Sequence, residues 1–176
     1  MLELKKELEN IKDSFSRISE IVYQTPVLSS ISINKALKAD ITFKAECLQE
    51  TGSFKLRGAS SAISVLSKEE KSRGVVAFSS GNHAQGIAYA SRELGTSAKI
   101  VMPSDAPKIK IWKTQEYGAE VIFYDRDEDN REEIGFRIAM EEGRKLIKPF
   151  DDLNVIYGQG TAAVSYTHLT LPTNGC

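Results

Sequence analysis

The sequence predicts an α/β fold in which a parallel β-sheet is flanked by helices. Three short apolar runs have the length and composition of buried strands, at 75–78, 98–102 and 120–124. Each is followed by a segment with helical spacing of apolar residues, at about 82–94, 107–117 and 130–145. Strands that alternate with helices in this way form parallel sheets with right-handed crossovers.

The region before this alternating pattern is predicted to contribute two helices and one strand. Apolar residues spaced four and three apart predict an amphipathic helix over about 3–20, namely Leu4, Leu8, Ile11, Phe15 and Ile18. We expect a short strand at 41–45 and a helix from the TGSFK segment to about Leu66. The charged segment SKEEKSRG, at 67–74, is interpreted as a turn.

The order of these elements predicts a small α/β domain and part of a larger one. We place the small domain at 68–149 and assign 1–67 and the returning segment 150–163 to an incomplete large domain. The tail at 164–176 lacks periodicity and resembles the translated read-through of a sequencing adapter. It is therefore interpreted as non-native, and His168 and Cys176 are expected to have no function.

The composition favours a small-molecule ligand. Lys+Arg number 23 against 24 Asp+Glu, and the two signs are interspersed, which excludes the basic face of a nucleic-acid-binding protein. The two cysteines, Cys47 and Cys176, have no metal-binding or disulfide spacing. With no apolar run of membrane-spanning length and no signal peptide, we expect a cytoplasmic protein without membrane partners or an assignable metal.

The segment SSGNH, at 79–83, forms the predicted turn between a strand and the next helix. Free backbone N–H groups at a helix start, with hydroxyls beside them, can bind a carboxylate or phosphate. Alternatively, Ser80 or Asn82 only caps the helix. The turn by itself leaves both interpretations open.

Lys55 lies where a core-facing helix would carry an apolar residue. It is in phase with Ala59, Ala62 and Leu66 along the predicted helix. Near a helix start and close to Arg57, its ammonium form would be disfavoured, and a neutral lysine amine is a nucleophile and a base. The alternative is a lysine whose long side chain reaches solvent from the first turn.

Together, the two segments resemble a known family. The motif TGSFKLRG (51–58) followed by SSGNHAQG (79–86) is similar to fold-type II pyridoxal-phosphate enzymes, in particular the threonine/serine ammonia-lyase and serine racemase family. The likeness continues at 25–30, 44–49, 101–110, 117–121 and 158–161. It implies a tryptophan synthase beta-like fold and pyridoxal 5'-phosphate as cofactor.

The resemblance also implies roles for individual residues. Lys55 matches the lysine that forms the Schiff base with the cofactor and shuttles the alpha proton of the substrate. Phe54 matches an aromatic residue beside the cofactor ring, and Asn82 an asparagine that binds its phenolic oxygen. The residues that match the loop for the substrate carboxylate are Ser79, Ser80 and His83.

The activity that the resemblance implies is an ammonia-lyase reaction that converts L-threonine or L-serine to a 2-oxo acid, as in isoleucine biosynthesis. Serine racemase or threo-3-hydroxyaspartate ammonia-lyase is the alternative, because Ser80 stands where ammonia-lyases usually have alanine. Arg131 supports that alternative, since it matches an arginine that reaches a substrate carboxylate, although it could equally be a solvated surface charge.

The sequence also lacks parts that the family has. The family's phosphate loop, its contact to the pyridine nitrogen and its metal ligands all lie beyond the position of Ala163. We therefore expect this chain to be a truncated, inactive piece of a homodimeric or homotetrameric enzyme, or a non-catalytic fragment.

Overall fold

The computed structural model describes residues 2–170, and side chains at 4–165. The helices are α1 (Leu2–Ile18), α2 (Ile31–Leu37), α3 (Lys55–Ser64), α4 (Lys68–Arg73), α5 (Asn82–Glu93), α6 (Lys108–Glu116), α7 (Arg131–Glu142) and α8 (Leu153–Thr170). The strands are β1 (Val27–Ser29), β2 (Thr42–Lys44), β3 (Val75–Phe78), β4 (Ala98–Pro103), β5 (Glu120–Tyr124) and β6 (Lys145–Leu146).

The main sheet is parallel, as the sequence predicts. Its strand order is β5-β4-β3-β6, and β3 pairs with β4 in a register that places Val75 opposite Ala98. Both faces are covered, because Val75 and Ala77 pack with apolar residues of α3 and α5, whereas Val76 and Phe78 pack with those of α7. Burial on both faces explains why these strands are continuous apolar runs.

A second, two-stranded sheet lies in the N-terminal part of the chain. Strands β1 and β2 pair antiparallel, with Val27 opposite Lys44 and Ser29 opposite Thr42. Helix α2 connects them, is capped by the Ser30 side chain, and has no buried residue. Several large apolar side chains of this region are exposed, among them Ile31 at 88% and Leu37 at 62%.

Helix α3 is the most enclosed helix among the described residues. Every residue from Leu56 to Ile63 is buried. Glycines let α8 approach it closely: a Cβ on Gly158 would lie 2.5 Å from the Arg57 carbonyl oxygen and 2.6 Å from the Gly58 Cα. The two helix backbones therefore touch at Gly58 and Gly158.

Replacing Gly158 with alanine should destabilise the protein by about 1–3 kcal/mol, because the added methyl group meets backbone atoms that cannot move aside. The matched control is Gly160→Ala on the same helix, where the new Cβ meets only the flexible side chain of Ile11 at 3.0 Å. Urea unfolding should show a lower free energy of unfolding for Gly158→Ala and little change for Gly160→Ala. Equal losses would contradict the close helix contact.

The structure differs from the sequence-based expectations at several places, and helix α8 is one element that was not predicted. The segment expected as a turn contains helix α4, which a capping box formed by Ser67 and Glu70 begins. Helix α7 ends at Glu142, because Gly143 adopts a left-handed conformation with φ of 65°, and β6 follows. Strand β1 and helix α2 were not predicted.

Helix α8 extends into the predicted non-native tail. It continues to Thr170, and Val164 and Ser165 are buried. The last residues, 171–176 with Cys176, lie outside the described residues, as does the side chain of His168. The non-native origin of the tail and the domain boundaries at 67/68 and 149/150 stay predictions.

Candidate functional site

The turn at 79–83 connects the carboxyl end of β3 to the start of α5. The N-cap residue is Gly81, no side chain caps the helix, and the Ser79 hydroxyl accepts a hydrogen bond from the Gly81 N–H at 3.2 Å. Neither Ser80 nor Asn82 therefore acts as the cap. The first N–H groups of α5 have no partner within the described part of the chain, and this arrangement is suited to binding an anion.

Lys55 is the first residue of α3 and is half-buried. Its Nζ donates a hydrogen bond to the Pro149 carbonyl at 3.4 Å and lies 5.3 Å from the centre of the Phe54 ring. The inward stripe is confirmed, since Ala59, Ala62 and Leu66 are all buried. Among residues with described side chains, no carboxylate pairs with the Lys55 ammonium.

Gly86 brings the start of α5 against the start of α3. A Cβ at this position would lie 3.1 Å from the Lys55 carbonyl oxygen and 3.2 Å from its carbonyl carbon. The missing side chain therefore permits a close approach of the two helices. Because of this contact, the helix that begins with Lys55 and the helix that follows the 79–83 turn lie against each other.

Arg57, which the sequence places close to Lys55, forms an ion pair of its own. Its guanidinium is fully buried and donates to both carboxylate oxygens of Glu46, at 2.7 Å and 2.8 Å. Burial alone would raise the pKa of Glu46, but hydrogen bonds from Arg57, Thr25 and Gln49 outweigh it and lower that pKa. The Arg57 charge is thus neutralised within its own network, which Thr161 of α8 completes.

His83 is almost completely buried, with 3% of its surface exposed. Its Nε2 lies 3.3 Å from the Ile147 carbonyl oxygen, and its Nδ1 is buried without a partner among the described residues. Burial, assisted by the nearby Lys55 charge, lowers the pKa of His83 to about 4, although the Ile147 bond and Asp152 act in the opposite direction. The imidazole is therefore neutral at pH 7.

Asn82 is exposed at the first position of α5. Its Oδ1 accepts a hydrogen bond from the Lys110 ammonium at 2.7 Å, and the same ammonium lies 3.3 Å from Gln85 Oε1. This contact leaves the Asn82 amide nitrogen available as a donor. The sequence contained Lys110 within a family-like segment, but nothing in the spacing indicated that it reaches Asn82.

Arg131 begins α7 near the same end of the sheet. Its guanidinium lies 5.6 Å from the centre of the ring of Phe78, which is the last residue of β3. It has no carboxylate partner among the described residues, whereas neighbouring Arg126 is paired with Asp105 at 2.7 Å. Arg131 also lines an open cavity of about 410 Å³ together with Tyr124, Asp129 and Asn130.

The loop before Lys55 contains two buried hydroxyl groups. Thr51 Oγ1 and Ser53 Oγ have no hydrogen-bond partner among the described atoms, and their residues are only 2% and 7% exposed.

Within the described residues we find no cluster of histidine, cysteine and acidic side chains able to hold a metal ion. Nor is any helix in that part of the chain long and apolar enough to span a membrane.

Known proteins with three different activities are similar to this chain. L-threo-3-hydroxyaspartate ammonia-lyase from Saccharomyces cerevisiae is 51% identical over 154 residues, which are 88% of this chain and 47% of that protein. Serine racemase from Schizosaccharomyces pombe is 45% identical over 88% of this chain and 48% of its own length. The solved structure of the processed form of threonine deaminase isoform 2 from Solanum lycopersicum matches with a TM-score of 0.87 and 37% identity, over 94% of this chain and 48% of that one.

The chain spans about half the length of these relatives. Its match to the family described as pyridoxal-phosphate dependent enzyme covers residues 18–166. That range contains Lys55, the 79–83 turn and Arg131, and it includes most of the 176 residues. The chain therefore belongs to the family of pyridoxal-phosphate dependent enzymes.

Proposed function

We propose that this chain supplies the lysine-bearing half of an enzyme that converts a small hydroxy amino acid to a 2-oxo acid and ammonia. The observation that carries the proposal is the position of Lys55, a half-buried amine without a carboxylate partner in the described residues, next to an uncapped helix start. The similarity to ammonia-lyases and racemases that share this half of the chain supports it.

The residues present fit pyridoxal phosphate. Lys55 offers the amine that an aldehyde requires, the Phe54 ring is 43% exposed beside it, and Asn82 retains an amide donor for a phenolic oxygen. The unpartnered hydroxyls of Thr51 and Ser53 are further polar groups for a ligand in this loop. When bound, the cofactor would act as an electron sink for the substrate's alpha carbon.

Each group of the chain then has a defined task. The N–H groups at the start of α5, with Ser79 and Ser80, hold the substrate carboxylate. The Lys55 amine accepts the alpha proton. The beta-hydroxyl leaves with a proton as water, and the resulting enamine adds water to give a 2-oxo acid and ammonia.

The substrate is a small hydroxy amino acid, of which threonine and serine are the first candidates. Arg131 favours a second candidate, 3-hydroxyaspartate, because an arginine with no carboxylate partner in the described structure can bind a second carboxylate. Ser80 favours racemisation as a side activity, since inversion at the alpha carbon needs a proton carrier on the face opposite Lys55. The Ser80 hydroxyl is half-buried and has no partner among the described residues.

We expect Ser80→Ala to lower the interconversion of L- and D-serine by about 10² to 10⁴-fold, as for the loss of a general acid. Pyruvate formation from L-serine should fall much less, since elimination relies on Lys55. Chiral chromatography and a coupled lactate dehydrogenase assay would measure both rates in the complete protein that contains this chain. L-Threonine and L-threo-3-hydroxyaspartate would be compared in the same preparation.

Two outcomes would count against these assignments. If both rates fall by the same factor, Ser80 serves only carboxylate binding or turn geometry, and the racemase candidate loses its main support. If none of the three hydroxy amino acids yields a 2-oxo acid, the proposed lyase activity is wrong.

A further inference from the structure

The segment 147–149, which follows β6, contacts two groups of the site at once. The Ile147 carbonyl oxygen lies 3.3 Å from His83 Nε2, and the Pro149 carbonyl accepts from Lys55 Nζ at 3.4 Å. The Ile147 N–H is itself fixed, because it donates to the Val76 carbonyl of β3 at 2.9 Å. One three-residue stretch thus joins α3, α5 and the sheet.

The chemistry of these contacts defines the state of the His83 ring. A carbonyl oxygen only accepts hydrogen bonds, so Nε2 must carry the hydrogen, and Nδ1 is left with a lone pair. Nδ1 is buried and has no partner among the described residues. The charged groups that act on the ring are Lys55 and Asp152, and their effects on its pKa are opposed. The ring is therefore a neutral donor with one fixed tautomer.

We propose that His83 is a positioning residue, which holds the 147–149 segment so that the Pro149 carbonyl keeps the Lys55 amine in place. Proline fixes its own backbone φ and carries no N–H, so the segment at this point is stiff and has only the carbonyl to offer. The inference rests on the proposed function only in taking Lys55 as the reactive amine. The hydrogen-bonded arrangement itself concerns the protein without cofactor.

The first test is a spectroscopic one on the cofactor-free protein. The chain has two histidines, and the signal of the His83 ring is identified as the one that a His83→Gln variant lacks. Nitrogen-15 NMR should show the neutral Nε2–H tautomer with no titration between about pH 5.5 and 8. An unperturbed histidine, with a pKa of about 6.5, would titrate in that range. A charged ring, or an Nδ1–H tautomer, would overturn the proposal.

The second test measures the reactivity of Lys55 in two variants. His83→Gln retains an amide donor that can reach Ile147, whereas His83→Leu does not. We expect reductive methylation of Lys55, followed by peptide mapping, to be about tenfold faster in the leucine variant, as for the loss of one hydrogen bond. The glutamine variant should stay within about twofold of wild type.

Lys44 is the internal control, because it is also half-buried and its Nζ donates to the Thr25 carbonyl. General loosening of the fold would raise the methylation of Lys44 as well, and that result would overturn the positioning role. Equal methylation rates at Lys55 in wild type and both variants would also overturn it.

If the leucine variant does not fold, His83→Asn replaces it, since the shorter amide cannot reach Ile147. Loss of lyase activity alone would bear on the proposed function and not on this contact.

Discussion

Replacing Lys55 with arginine should lower 2-oxo acid formation by at least about 10³-fold, the largest effect that we expect from any single substitution. Arginine retains the positive charge and much of the length of lysine, but its guanidinium stays protonated and is neither a nucleophile nor a base. The wild-type amine lies at the start of α3, with only a carbonyl as hydrogen-bond partner in the described structure. Initial rates in the complete protein would measure the loss.

The matched control is Lys44→Arg. Lys44 is another half-buried lysine, and burial, assisted by Arg57, lowers its pKa despite the opposing charge of Glu46. It is therefore the best competitor for reaction with an aldehyde. Borohydride reduction of the loaded protein, followed by peptide mapping, should label Lys55 and leave Lys44 unlabelled. A label on Lys44 would contradict the assignment of the reactive lysine.

The second large effect concerns stability. Arg57→Met should lower the free energy of unfolding by about 3–5 kcal/mol, because it leaves the Glu46 carboxylate enclosed without its charge partner. The Glu46 side chain is only 12% exposed, and the guanidinium that it binds is fully buried. Methionine preserves much of the side-chain volume, so the loss would reflect the charge and hydrogen bonds more than packing. Urea unfolding would measure it.

The control for this experiment is Arg73→Met. Arg73 also forms an ion pair, with Glu69 at 2.6 Å, but both side chains are exposed, at 40% and 80%. Exposed pairs contribute about 0–1 kcal/mol, so this variant should unfold nearly as wild type does. Similar losses in the two variants would mean that burial does not determine the strength of the Arg57 pair.

The pH provides an independent check on the same pair. The pKa of Glu46 is lower in the folded protein than in the unfolded chain, so its stabilising contribution is complete above the unfolded pKa. That contribution is lost as the pH falls through the pKa that Glu46 has in the folded protein. The stability difference between wild type and Arg57→Met should therefore be largest near neutral pH and should shrink in acid.

The parts of the fold that the sequence predicted are those with a repeated apolar pattern. Strands β3 and β5 begin and end at the predicted residues, and every residue of β3 is buried, which explains its apolar run. Helix α2 has only seven residues, too few for its apolar positions to establish a helical period. Helix α4 is charged throughout, and only the spacing of Ser67 and Glu70 could have revealed it. Strand β6 has two residues, too few for any pattern.

The sequence indicated candidate site residues through their side chains and gave no information on backbone atoms. The family-like motifs indicated Lys55 and the 79–83 turn, and the structure places them together through Gly86. The carbonyl groups of Ile147 and Pro149 could not be found in this way, because any residue type supplies a carbonyl. The role of Glu46 is hidden for another reason: the sequence places its partner Arg57 close to Lys55 and gives no sign of the ion pair.

The close contact between α3 and α8 has a consequence for how the protein is made. The hydrogen bond from the Gly58 N–H to Gln159 joins residues 101 positions apart, so at about 5–20 residues per second α3 leaves the ribosome roughly 5–20 s before α8. All the strands of the parallel sheet are synthesised during this interval, and they can assemble while the α8-facing side of α3 is still uncovered. We expect the nascent chain to be most vulnerable to aggregation, and most dependent on chaperones, in that period.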